Sequence, residues 1–296
     1  MIFPHESHTP DSTLEAIESE HCTAVYGVPT MFIAALQHPT FPRRNTSSLR
    51  TGIMAGSPCP LELMKRVEKE MGAREITIAY GETEASPLIT MTRTDDPIEK
   101  RVGTVGRAIP DVEVKIIDPE SGETLPDGVS GELCARGHNV MLGYYNMPDR
   151  TAEAIDSEGW LHTGDFALRQ PDGYFRITGR LKDMIIRGGE NIAPREIEEL
   201  LYQHPAVEDV QVVGVPDRKF GEEILAWIKL RQGQTLAASD VREYCHSRLA
   251  HFKTPRYVKF VASFPTTVTG KIQKFKIREQ AIRELGLEDA ARIETA

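Results

Sequence analysis

Two short apolar segments flanking a helical one, each strand running out into a glycine loop, constrain this chain more than any other feature. Leu49 to Ala55 reads as a strand, Pro60 to Met71 as a helix opened by proline, and Glu75 to Tyr80 as a second strand ending at Gly81. Strand, helix and strand in such close succession form a β-α-β unit, whose strands lie parallel. A crossover sheet of this kind presents ligands outside the carboxyl ends of its strands. The loops Gly56-Ser57-Pro58 and Gly81-Glu82-Thr83-Glu84 are therefore predicted to share one rim, the first place to look for chemistry.

Beyond Gly103 the pattern changes. Alternation in Val112-Glu113-Val114-Lys115-Ile116, with turn signals at Asp118-Pro119, Asp127-Gly128 and Asp172-Gly173, predicts a small layer of antiparallel strands up to Thr178. After Gly179 a compact α+β pattern follows: helix Pro194 to Tyr202, strands Val207 to Val215 and Ile224 to Leu230, helix Ser239 to Leu249, strand Tyr257 to Val261 and a C-terminal helix. A length of 296 residues fits two domains. The expected fold class is α/β plus α+β, with the first domain over 1–182 and the second over 183–296.

Composition excludes several function classes. The net charge of −9, with Lys and Arg scattered among acidic residues, argues against nucleic acid as a partner. Cys22, Cys59, Cys134 and Cys245 lie far apart with no CxxC or Cys/His spacing, which argues against zinc and against a disulfide framework. No secretory signal is visible at the N-terminus, and Val25 to Leu36, interrupted by Gly27 and Pro29, is too short to span a bilayer. A reducing, cytoplasmic setting is the expectation.

Each chemical motif has an ordinary alternative. Tyr80-Gly81-Glu82-Thr83-Glu84 is either a simple strand-end turn or a phosphate site, in which Gly81 admits a ligand, Thr83 offers a hydroxyl and Glu84 a hard oxygen for Mg²⁺. In Trp160-Leu161-His162-Thr163-Gly164-Asp165 the carboxylate suits ribose hydroxyls, although Asp is also common in turns; His162 is assigned no role. Gly188-Gly189 reads equally as a hairpin turn or as backbone approaching a thin ligand chain. Lys271, after a Thr/Gly-rich loop, is either a solvated lysine or a cation that neutralises charge at phosphorus. A Walker loop over Thr266 to Lys271 is rejected, because Pro265 replaces the first glycine and Ile272 the Mg²⁺-binding hydroxyl.

In their order and spacing, Tyr26-Gly27-Val28-Pro29-Thr30, Tyr80 to Glu84, Gly131-Glu132-Leu133, Thr163-Gly164-Asp165, Gly179-Arg180, Gly188-Gly189-Glu190 and Thr269-Gly270-Lys271 resemble the adenylate-forming superfamily of acyl-CoA synthetases, adenylation domains and luciferases. The segments around Tyr26 and Ser48 to Pro58 look most like medium-chain or related fatty acyl-CoA synthetases. The resemblance implies ATP/AMP, Mg²⁺ and coenzyme A as ligands, with Gly56, Ser57, Gly81 and Glu82 along the nucleotide rim. It implies that Tyr80 packs on adenine, Thr83 touches phosphate, Glu84 holds Mg²⁺, and Asp165 with Arg180 grips the ribose. Lys271 matches the adenylation lysine, Lys182 the hinge, and Gly188-Gly189-Glu190 the loop lining a pantetheine tunnel.

The superfamily's Ser/Thr/Gly-rich triphosphate loop is expected well before Tyr26, and only 25 residues stand there, so the chain corresponds to about half of a usual member. The N-terminal domain is therefore expected to be incomplete, with exposed sheet edges that the missing N-terminal portion or an oligomeric partner would cover. Two further readings stay open: an adenylation domain that loads a carrier protein, and a non-catalytic fragment that binds AMP or a partner.

Overall fold

A computed structural model describes residues 1–6, 8–267 and 272–291. Contacts divide the chain into one unit of Met1–Thr163 with Ala167–Ile177 and a second of Gly164–Phe166 with Thr178–Ala296.

The first unit opens with α1 (Pro10–Ser19), capped by Thr9, whose hydroxyl accepts from Ser12 N. Strand β1 (Ala24–Gly27), helix α2 (Pro29–Gln37), strand β2 (Thr51–Ala55), helix α3 (Leu61–Arg66) and strand β3 (Glu75–Tyr80) follow. β1, β2 and β3 are parallel neighbours, as the β-α-β pattern requires. The predicted apolar stretch from Val25 to Leu36 is in fact a strand and a helix, broken at Val28 because Pro29 starts α2 at its first turn. Pro60 stands just outside α3 as its N-cap, and the helix continues through a wider π-helical turn over Val67–Met71 before Gly72, at φ +85°, ends it. Leu49, predicted as strand, precedes β2 and is buried in the core with Met54, Met64, Val67 and Ile76.

β4 (Thr90–Met91), α4 (Ile98–Gly103) and β5 (Arg107–Ala108) complete this layer, with sheet order β1-β2-β3-β4-β5. Arg101 on α4 is buried, and its guanidinium is satisfied by the carbonyls of Arg74, Ile76 and Asp96 and by Glu68. The β-rich layer is β6 (Val112–Ile117), β7 (Gly131–Gly137), α5 (Pro148–Ala154), β8 (Leu161–Arg169) and β9 (Phe175–Arg180), in sheet order β6-β7-β8-β9. Buried positions alternate along β8, as a sheet with one packed face demands.

In the second unit β10 (Ile185–Arg187) and β11 (Glu190–Ile192) form a hairpin, followed by α6 (Pro194–Tyr202), β12 (Val207–Asp217), β13 (Gly221–Leu230), α7 (Ala238–His246), β14 (Tyr257–Phe260), α8 (Lys274–Leu285) and α9 (Glu288–Ala291). The sheet runs β11-β10-β13-β12, and β14 joins β13 in parallel. Both faces are covered. Val210 and Val212 pack with Ile197 and Leu201 of α6, whereas Val213 and Val215 pack with Ile277 and Ala281 of α8. That accounts for the unbroken apolar runs in β12 and β13.

Candidate functional site

The rim predicted from the β-α-β unit exists. Ala55 and Ala79 are register partners, so the loops that follow β2 and β3 leave the same edge of the sheet. Gly56, Ser57, Gly81 and Thr83 are exposed there, and Tyr80 is half-buried against Ile89 and Leu133. Gly81 is demanded by space: a Cβ would stand 2.0 Å from the carbonyl oxygen of Pro87. Thr83–Ala85 makes a single tight turn closed by Ala85 N donating to Glu82 O at 2.9 Å, with Thr83 exposed and Glu84 half-buried.

Glu84 is held by residues that the sequence did not single out. Met141 N donates to its carbonyl oxygen at 2.7 Å, and the Tyr144 hydroxyl donates to Oε1 at 2.7 Å. The hydrogen bond to Glu84 holds the Tyr144 phenol above its ordinary pKa, so the donor proton stays in place at neutral pH. Asn139 Nδ2 adds a bond to Leu88 O at 2.7 Å, tying the same loop to the segment after the turn. Nothing in the local pattern of Gly143-Tyr144-Tyr145 signals a contact 60 residues away. An acceptor-only carboxylate beside an exposed threonine hydroxyl is a donor set of hard oxygens, which fits Mg²⁺.

The second unit brings together Asp165 and Arg180. Asp165 is buried, and Arg180 Nε donates to its Oδ1 at 2.6 Å. Lys182 is exposed in a short helical turn and lines a cavity of about 370 Å³ with Asp183, Met184, Glu222, Lys274 and Arg278. Gly188-Gly189 is the two-residue turn between β10 and β11, at φ +60° and +88°, with Arg187 paired to Glu190. This geometry is the type I′ hairpin of the ordinary reading, and glycine suits both positions. Glu190 is exposed at its end. Behind the hairpin, Arg187 grips the buried Glu223 through two parallel bonds of 2.9 and 2.8 Å, a support that sequence reading missed. Lys271 lies outside the described residues.

The family model for the AMP-binding enzyme matches residues 1–145, and that for the AMP-binding enzyme C-terminal domain matches residues 196–271. The chain belongs to the adenylate-forming, AMP-binding superfamily. It is 57% identical over 286 residues to a putative acyl-CoA synthetase, YngI, of Bacillus subtilis, covering 97% of this chain and 52% of that protein. It is 46% identical over 287 residues to the mitochondrial medium-chain acyl-CoA ligase ACSF2 of Danio rerio, covering 97% of this chain and 47% of the ligase. The fold matches ATP-bound MatB from Rhodopseudomonas palustris with a TM-score of 0.84 at 33% identity, over 93% of this chain and 53% of that one. The chain thus spans about half the length of the curated relatives it matches. No helix among the described residues is long and apolar enough to cross a membrane.

Proposed function

We propose that the protein carries the adenylate and thioester machinery of an AMP-forming acid–CoA ligase for fatty acids, as two domains over 1–182 and 183–296. The observation that carries this reading is the rim itself: a glycine position with no room for a side chain, then an exposed hydroxyl and an anchored carboxylate. The names of the two relatives, a putative acyl-CoA synthetase and a medium-chain acyl-CoA ligase, support the fatty-acyl substrate class.

A carboxylate is a poor electrophile, and its conversion to an acyl-adenylate supplies AMP as a good leaving group for thiolate attack. In this reading the acid's oxygen attacks the α-phosphorus of ATP and pyrophosphate departs. The thiol of coenzyme A then displaces AMP from the acyl carbon. Tyr80 stacks on adenine, with Gly56, Ser57 and Glu82 along the same rim, and Thr83 donates to phosphate. Asp165 and Arg180 grip the ribose, and Glu84 would hold Mg²⁺, which would supply positive charge to neutralise the phosphates. Lys271 bridges the attacking carboxylate and the α-phosphate in the first step only. Rotation about Lys182 brings Gly188, Gly189 and Glu190 to line the pantetheine path for the second step.

The test is pyrophosphate release from ATP with a panel of carboxylic acids. It is run on this chain and on a version extended upstream to the length of its relatives, each with and without Lys271→Ala. Acid-dependent release by the extended protein, abolished by Lys271→Ala, is expected. Release that ignores the acid, or that survives Lys271→Ala undiminished, would overturn the assignment.

A further inference from the structure

Three different metal-binding side chains converge on one point of the β6–β9 sheet. Glu132 and Cys134 stand two residues apart on β7 and so project from one face, and His162 lies on the neighbouring β8. One donor atom from each lies within 4.8 Å of the others. His162 Nδ1 is 2.9 Å from Glu132 Oε2 and 3.6 Å from Cys134 Sγ. Cys134 is fully buried, Glu132 is buried, and the His162 side chain is 30% exposed, which leaves one open side. We propose that Glu132, Cys134 and His162 form a Zn²⁺ site, completed by a water on the exposed side of His162.

Geometry supports the cation. Zinc at about 2.0–2.1 Å from nitrogen and about 2.3 Å from sulfur sets the N···S edge of a tetrahedron near 3.5 Å, and the Nδ1–Sγ distance is 3.6 Å. The Nδ1–Oε2 distance of 2.9 Å is a hydrogen bond, shorter than the corresponding edge of about 3.4 Å. A small rotation of the Glu132 carboxylate makes up the difference. Nδ1 faces both Glu132 Oε2 and Cys134 Sγ, and a cation between the three atoms would draw on all of them at once.

The ring's other nitrogen faces a carboxylate, at ion-pair rather than hydrogen-bond distance. His162 Nε2 lies 3.7 Å from Asp156 Oδ2, and Asp156 is itself fixed because Glu158 N and Trp160 N each donate to its Oδ1 at 2.9 Å. A closing movement of a few tenths of an ångström on metal binding would make this contact the hydrogen bond that orients a ligating imidazole and raises its basicity. Trp160 packs with Cys134 and Ile117 and shields the thiol side. Lys115 is the register partner of Cys134, and its ammonium sits over the Trp160 ring at 4.2 Å. Arg136 is committed to Glu113.

The experiment titrates Zn²⁺ alone into the untagged, chelator-treated chain against a chromophoric chelator, and repeats the titration with Co²⁺, whose thiolate complexes absorb in the near ultraviolet. One equivalent bound, with a thiolate–cobalt band, is expected. Cys134→Ser should remove the band, His162→Phe should weaken binding at least tenfold, and Asp156→Asn should weaken it about tenfold. Because Cys134 is buried, its variant is read only if circular dichroism and the melting temperature match the parent. His162→Phe, at a partly exposed position, carries the test otherwise. No stoichiometric binding, or binding that His162→Phe leaves unchanged, as a site at the neighbouring His246 and His251 rings would give, overturns the proposal.

Discussion

Nε of Arg180 lies 2.6 Å from Oδ1 of Asp165, so the two residues assigned to a ribose are hydrogen-bonded to each other. The pair is asymmetric: the Asp165 side chain is 10% exposed and that of Arg180 is 57% exposed. The carboxylate is the fixed partner and the guanidinium the movable one. Hydrogen bonds to a charged group are worth about 1.5–3 kcal/mol. Asp165→Asn, which keeps the volume but loses the charge, is therefore expected to weaken AMP binding by about tenfold or more by calorimetry. Unchanged affinity would remove Asp165 from the nucleotide site.

Tyr144 makes a second prediction, about Glu84. Its hydroxyl occupies Oε1 and so fixes which carboxylate oxygen turns outward. Tyr144→Phe removes one hydrogen bond at a position that is 38% exposed, so stability should change by no more than about 0.5 kcal/mol. The Mg²⁺ concentration for half-maximal pyrophosphate release by the extended protein should nevertheless rise several-fold. The phenol's pKa is raised by Glu84, so the bond is present below the ordinary value of about 10 and is lost only as pH climbs above it. The parent should therefore hold its Mg²⁺ requirement constant across neutral pH. An unaltered Mg²⁺ profile in Tyr144→Phe would show that the hydroxyl does not orient Glu84.

Gly81 and Gly189 separate two reasons for glycine. A Cβ on Gly81 would meet backbone at 2.0 Å, whereas one on Gly189 meets nothing within 4 Å but sits at φ +88°. Gly81→Ala must displace the Pro87 carbonyl and is expected to cost about 1–3 kcal/mol by urea denaturation, together with loss of nucleotide binding. Gly189→Ala carries only the left-handed backbone penalty of about 1–2 kcal/mol and should leave nucleotide affinity intact. Equal effects of the two on binding would contradict the placement of the rim at Gly81.

What the sequence revealed and what it hid follow from how each feature is encoded. Parallel β2 and β3 were legible because a helix and two glycine loops punctuate them, and Pro194 to Tyr202 because proline opens α6 and apolar positions recur at helical spacing. β1 was not legible: four residues carry too little alternation beside the apolar α2. At the site, Gly81, Thr83 and Glu84 form one contiguous stretch and could be read directly. Tyr144 over Glu84 depends on a loop returning across the structure. The Glu132, Cys134 and His162 cluster depends on the pairing of two strands, so no Cys/His spacing along the sequence reports it.

The thiols give the last prediction. Burial pushes the Cys59 and Cys134 thiols up to about 12 and the Cys245 thiol up to about 11. Cys22 is only half-buried, and all four are free. The thiolate is the reactive form, so at pH 8 the three buried cysteines are both inaccessible and protonated. In chelator a disulfide reagent should therefore modify Cys22 first, with Cys59, Cys134 and Cys245 reacting only as urea unfolds the chain. The sign with pH is fixed as well. A thiol whose pKa is raised by folding favours the folded state until the unfolded thiol ionises near 8.5, and stability then falls as pH rises toward the folded value. If Cys134 instead reacts as fast as Cys22 at pH 8, β7 opens without global unfolding, and the wall of buried side chains described around Trp160 does not hold in solution.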